Sequence, residues 1–128
     1  MMPFSAEFDS VYAAIKDACF VTAMKCLRAN DIWSNSTFIQ DIFDLIFTSR
    51  IVIVDFTGRN PNVMYETGIA HTLGKVVIPI TQSFDDIPSD LKPHRALKYY
   101  PNIEGLGILS SQLSNRIFTI LEGGGWKK

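Results

Sequence analysis

A chain of 128 residues is one domain's worth, long enough to bury a core without disulfides or a structural metal. Hydrophobic residues at 47% and charged residues at 20% exclude a disordered chain, and a net charge of −1 excludes a basic surface built for a nucleic acid polymer. No apolar run is long enough to span a bilayer, no signal-peptide pattern opens the chain, and no CxxC, HExxH or Cys/His cluster points to a metal.

The opening "MMPFS" reads as the end of a strand and the loop after it. Either residues 1–4 are a short first strand, or the natural protein begins earlier. "FDSVYAAIKDACFVTAM" follows, with Phe8, Val11, Tyr12, Ile15, Ala18 and Cys19 at helical spacing, and predicts the first helix. "KCLRA" is a short strand candidate, and "NDIWSNS" is a polar loop. "TFIQDIFDLIFTS" predicts the second helix, with Ser36 as its N-cap and Phe38, Phe43 and Phe47 on a wide apolar face. Cys19 and Cys26 read as plain thiols, packed or exposed, in a reducing compartment; the chain reads as cytoplasmic and bacterial.

"IVIVDF" is continuously apolar and β-branched, the pattern of a strand covered on both faces. "NPNVMYETGIAHTLG" predicts the third helix, and "KVVIPIT" a second buried strand whose Pro79 suggests an edge or a bulge. "QSFDDIPSDLKPHR" is a turn-rich loop, in which Asp85 and Asp86 read as a solvated turn. Arg95 and Tyr99 are expected to tie this loop to the sheet. "ALKYYP" is a last short strand. "GILSSQLSNRIFTILEG" is the closing helix, with Ile108, Leu109, Leu113, Ile117, Ile120 and Leu121 in register. Alternating helices and strands predict an α/β fold: a flavodoxin-like three-layer sandwich with a parallel sheet of four to five strands. One domain is expected over residues 1–122, with a disordered tail at 123–128.

In open α/β sheets, ligands bind outside the carboxyl ends of the strands. That rule gathers "PFSAEF", "RANDIW", "DFTGRNPN" and "TQSFDD" around one crevice. The candidate binding residues on it are Ser5, Arg28, Asn30, Asp31, Asp55, Thr57, Gly58, Arg59, Asn60 and Asn62. Phe4 is placed to stack on a base or to join the core, and Trp33 to cover the pocket or meet another subunit. Arg59, at a helix N-terminus after a glycine, suits a phosphate. Mutual pairing is the simpler role for Arg28 and Asp31.

Pro61 is a natural first helical residue, so Asn60 is the expected N-cap of the third helix. One face of that helix then carries Val63, Glu66, Ala70 and Leu73, while Gly68 and Ala70 are small enough to let it approach the sheet. Glu66 points inward. A buried carboxylate is costly unless paired, so Glu66 pairs with Arg59 or His71, reaches water, or serves chemistry. The chemistry that suits it is cleavage of a glycosidic C–N bond. Such a bond breaks through an oxocarbenium-like centre, which a carboxylate attacks or stabilises. Asp55, at the strand end, is expected to face it.

Taken together, "MPFSAEFDSVYAAIKDAC", "RANDI", "IVIVDFTGRNPNVMYETGIAHTLGK" and "PITQSFDDIPSDLKPHRALKYY" resemble the bacterial TIR-like branch of the nucleoside 2-deoxyribosyltransferase superfamily. The resemblance covers residues 2 to about 121, and its most specific part is residues 55–75. It implies that Glu66 is the catalytic nucleophile and that Asp55 binds and protonates the base. Asn60 stands where that family has an acid, and an amide binds a hydroxyl but does not protonate. TIR NAD glycohydrolases likewise carry a glutamate on the corresponding helix. The resemblance therefore implies an N-glycosidase or glycosyl transferase acting on a nucleoside, a nucleotide or NAD. It implies no cofactor, with NAD as a candidate substrate, and a homo-oligomer without membrane or nucleic acid partners. The alternative is a non-catalytic TIR-like module that senses nucleotides and self-associates, in settings such as antiphage defence.

Overall fold

The run "IVIVD" carries apolar side chains on both faces, so it needs cover on both. The computed structural model, which describes residue 2 and residues 6–28, 38–91 and 95–123, makes it strand β1 (Ile51–Asp55). β1 pairs in parallel with β2 (Val76–Thr81), and β2 pairs in parallel with β3 (Leu97–Lys98). The helices among the described residues are α1 (Asp9–Val21), α2 (Phe38–Thr48), α3 (Pro61–Thr72) and α4 (Ile103–Gly123).

Alternation along the strands sorts the core into two clusters. Val52 and Val54 pack with Ile42 and Ile46 of α2 and with Val63 and Ala70 of α3. Ile51 and Ile53 pack instead with a cluster that holds Val11 and Ile15 of α1 and Leu109, Leu113 and Ile117 of α4. Ile78 and Ile80 of β2 belong to the second cluster and Val77 to the first. Full burial of such a side chain contributes about 1.5–3 kcal/mol. The two clusters therefore hold the helices to the sheet far more strongly than the two-residue β3 ladder does.

Pro79 is not in a bulge, since the β1 register runs unbroken through Val54, and although β2 lies between β1 and β3, residue 79 has no described ladder partner on the β3 side. Its position is nevertheless permitted. Successive residues of a strand turn their backbone polar groups to opposite neighbours. The Ile80 carbonyl accepts from Phe56 on the β1 side and the Thr81 carbonyl from Tyr99 on the β3 side. Residue 79 therefore faces the β3 side, and the β3 ladder begins only at Ile80. The missing N–H of Pro79 costs no ladder bond.

Several expectations change. The sheet has three strands among the described residues rather than four to five. Residues 25–28, the described part of the predicted "KCLRA" strand, join no ladder among the described residues. The proposed first strand falls mostly outside the described residues, although Met2 is buried in the α1/α4 cluster. α4 begins at Ile103, four residues before the expected Gly107, because the Asn102 side chain accepts from the Gly105 N–H at 2.6 Å. Ile108 is exposed, and Phe47 is 68% exposed, so the apolar face of α2 is only partly core. Ser36, Trp33 and residues 124–128 of the expected tail lie outside the described residues, while Gly123, expected to begin that tail, ends α4. No helix among the described residues is long and apolar enough to cross a membrane.

Candidate functional site

β1 ends at Asp55, which is fully buried. Its Oδ1 accepts from the Thr57 N–H at 2.9 Å and the Thr57 hydroxyl at 2.6 Å, and its Oδ2 from the Tyr99 hydroxyl at 2.5 Å. Burial raises its carboxyl above the ordinary range, and the Thr57 and Tyr99 bonds pull it part of the way back. Burial and the neighbouring Asp55 charge push the Tyr99 phenol up. Gln82 completes the network: its N–H donates to Thr57 Oγ1 at 3.0 Å and its side-chain amide to Tyr99 Oη at 3.2 Å. The partners of Asp55 thus come from the turn after β1 and from just beyond β3.

The loop after Asp55 is held by the loop after β2. Gly58 takes a positive φ of 80°, which suits glycine, and donates its N–H to Asp86 Oδ2 at 2.9 Å. Arg59 also takes a positive φ, of 55°, and donates to the Asp85 carbonyl at 2.8 Å while its Nε sits 3.5 Å from Asp86. Asp86 is a tether, then, and not a solvated turn. Asn60 caps α3 as expected, its Oδ1 accepting from Asn62 N–H at 2.9 Å and Val63 N–H at 3.3 Å.

α3 packs on β1 and β2 and buries Val63 and Ala70 at 2% and 0% exposure. Glu66 lies between these two on the same face and is itself buried at 9%. Leu73, expected on this face, is exposed at the helix end, and Gly68 is exposed rather than pressed to the sheet. Glu66 opens on a cavity of about 350 Å³ that runs along β1 between α1 and α2. Its walls are mainly apolar, with Ile15, Met24, Ile42 and Ile53 among them, and they also carry Lys25, Arg28 and Arg50. Arg28 sits 3.7 Å from Asp9, and its guanidinium stacks 4.0 Å over the Tyr12 ring. Burial raises the Glu66 carboxyl above its ordinary range. Among the described residues no hydrogen bond or ion pair holds the Glu66 carboxylate. Arg59, one of its expected partners, is engaged by Asp85 and Asp86.

The structure divides the predicted site in two. Glu66 and Arg28 share the cavity. Asp55, Thr57, Gly58, Arg59, Asn60 and Asn62 do not line it; Asp55, Thr57, Gly58 and Arg59 bind one another or the 82–86 loop. Asp55 and Glu66 do not share the cavity: Glu66 lines it, while Asp55 is bonded to Thr57 and Tyr99. Phe4, Ser5, Asn30 and Asp31 lie outside the described residues. Tyr12, Cys19 and Cys26, which the spacing did not mark as site residues, are in the cavity wall. Tyr12 and Cys19 were legible as helix-face residues, but nothing local signalled that a cavity lay beside them. No group of three or more His, Cys, Asp or Glu able to hold a metal ion occurs among the described residues.

A desolvated carboxylate in an apolar cavity favours a ligand that brings or develops positive charge. Ligand cavities for small molecules span about 300–1,000 Å³, and this one falls in that range. No protein-family model and no curated protein matches the chain.

Proposed function

We propose that the chain cleaves the N-glycosidic bond of a nucleoside, a nucleotide or NAD, as a glycosidase or a glycosyl transferase, with Glu66 beneath the anomeric carbon. The observation that carries this is the buried Glu66 carboxylate, free of a described partner and open to a mainly apolar cavity. As the base leaves, the sugar gains oxocarbenium character. The carboxylate then stabilises that charge or closes on the anomeric carbon as nucleophile. Its raised basicity strengthens both roles, and the ground state has no described ion pair to break. Arg28, on the same wall, would meet a phosphate or a base carbonyl. Asp55 is sealed by Thr57 and Tyr99 and has no part in this scheme beyond shaping the rim. The resemblance to the TIR-like deoxyribosyltransferase branch supports the same substrate class.

A second reading has its own support. With Asp55 closed off, the cavity wall carries a single carboxylate among the described residues, and Asn60 is committed to capping α3. No second carboxyl group lines the described cavity wall to protonate a leaving base. A module that binds a nucleotide and assembles with other copies would need none.

The deciding experiment incubates the protein with NAD and with a panel of deoxynucleosides and separates free base by chromatography, beside Glu66→Gln. Base release that disappears in the variant supports the glycosidase and identifies its substrate class. Full activity in Glu66→Gln removes the mechanism. No release by a folded protein, with ligand-dependent self-association, moves the assignment to the binding module.

A further inference from the structure

Cys19 and Cys26 are seven positions apart, yet the chain folds them together. α1 ends at Val21, and the Thr22 hydroxyl bonds back to the carbonyls of Ala18 and Cys19 at 2.9 and 3.0 Å. Ala23 then takes a positive φ of 59°, and the chain reverses, with Met24 N–H donating to the Cys19 carbonyl at 2.8 Å. The reversal returns Cys26 to the apolar cluster that holds Cys19, where the two thiols influence each other. Both line the cavity that Glu66 enters, Cys19 buried and Cys26 half-exposed.

The surroundings of the two sulfurs are unequal. Tyr12, in the same cavity wall, and Lys16 both favour the charged form of Cys26. The Tyr12 ring is itself flanked by cations, Lys16 Nζ at 5.2 Å from its centroid and the Arg28 guanidinium at 4.0 Å. Cys26 is the half-exposed sulfur of the two, and its interaction with Cys19 lowers its pKa against the cost of burial. The Cys19 thiol, buried and next to Cys26, is pushed up. A pair arranged in this way has one sulfur to attack and one held in reserve beside it. Two sulfurs fall short of the four ligands of a structural zinc site.

We propose that Cys26 and Cys19 form a redox-active dithiol in the cavity wall, Cys26 attacking a low-molecular-weight disulfide and Cys19 resolving the product. The Cys26 thiolate attacks one sulfur of the disulfide, forming a mixed disulfide and releasing one small thiolate. Cys19, losing its proton, then attacks Cys26 Sγ; the intrachain bond forms and the second small thiolate leaves. The protein pair is oxidised by two electrons, the small disulfide is reduced to two thiols, and the protons of the protein thiols pass to them. The exchange is independent of any glycosidase activity.

The test equilibrates the full chain with mixtures of reduced and oxidised glutathione, quenches by alkylation, and reads intact mass and peptide maps. The wild type is expected to lose two hydrogens and yield a cross-linked Cys19–Cys26 peptide. Cys19→Ser is expected to accumulate glutathione on Cys26, while Cys26→Ser takes up none at Cys19. Glutathione settling on Cys19, or no cross-link under oxidising mixtures, overturns the proposal. Because Cys19 is a core residue, a second measurement uses the wild type alone. Iodoacetamide should modify Cys26 about ten-fold faster than Cys19 at pH 7. The Cys26 rate should follow a titration whose midpoint lies below the ordinary thiol value. Equal rates, or a midpoint at the ordinary thiol value of about 8.5, would sink it.

Discussion

Tyr99 donates its hydroxyl to Asp55 Oδ2 at 2.5 Å, across 44 residues of chain. The bond joins the residue after β3 to the last residue of β1, with β2 between them. It therefore clasps the carboxyl end of the described sheet across its width. Tyr99→Phe keeps the ring and leaves one buried carboxylate oxygen without its donor. The expected loss is about 1–3 kcal/mol of stability, measured as a lower urea midpoint at unchanged slope. An unchanged midpoint would show that water or another donor replaces the hydroxyl.

Glu66 is expected to make stability fall as pH rises. Its folded-state carboxyl lies above its ordinary 4.5, so folding takes up a proton. The contribution is complete below pH 4.5 and is lost as pH rises through the raised folded value. Glu66→Gln removes this decline. The variant should be more stable than the wild type at pH 7, by about 1.4 kcal/mol for each tenfold gain in the carboxylate's proton affinity on folding. At the acid end the two should be equal. Asp55 titrates in the same direction but is present in both proteins, so the difference reports Glu66 alone. A less stable variant at pH 7 would reveal an ionic partner for the carboxylate.

Asn60 can be assigned to capping or to substrate by two substitutions. Asn60→Ala removes the acceptor for Asn62 and Val63 N–H groups and should cost about 1 kcal/mol. Asn60→Asp keeps the cap and should leave both stability and any base-release rate close to wild type. A large kinetic change in Asn60→Asp with intact stability would return Asn60 to the substrate site.

Two helical glycines should respond with opposite signs. Gly68 is exposed within α3 and a Cβ there meets open space, so Gly68→Ala should stabilise by about 0.5–1 kcal/mol. Gly105, in the first turn of α4, lies against the Tyr100 carbonyl, and a Cβ there would enter the backbone. Gly105→Ala should destabilise by about 1–3 kcal/mol. Thermal denaturation of the two variants side by side checks the contrast.

Local pattern carried much of this fold. Helical spacing marked all four described helices, and α1, α2 and α3 lie within the stretches it outlined. Asn60 and Pro61 announced the start of α3, because a cap bonds only its own next residues. Continuous β-branched character marked β1 and β2, and Glu66 stood out because a carboxylate sat on an apolar stripe. These features depend on neighbours a few positions away.

Contacts between distant segments were not legible in that way. Asp55 looked like a rim acid until the crossing from β1 to the end of β3 set Tyr99 against it. Asp86 looked solvated until its loop met Gly58 and Arg59. Cys19 and Cys26 read as scattered thiols until a reversal at Ala23 brought both into one cavity wall. Spacing and chemistry along the chain settled the helices, the buried strands and the inward Glu66, because helix and strand periods are local. Sheet register and the meeting of loops decided which polar groups closed on one another and which opened on the cavity. Those pairings depend on packing energies summed over the whole fold, and no short stretch of sequence contains them.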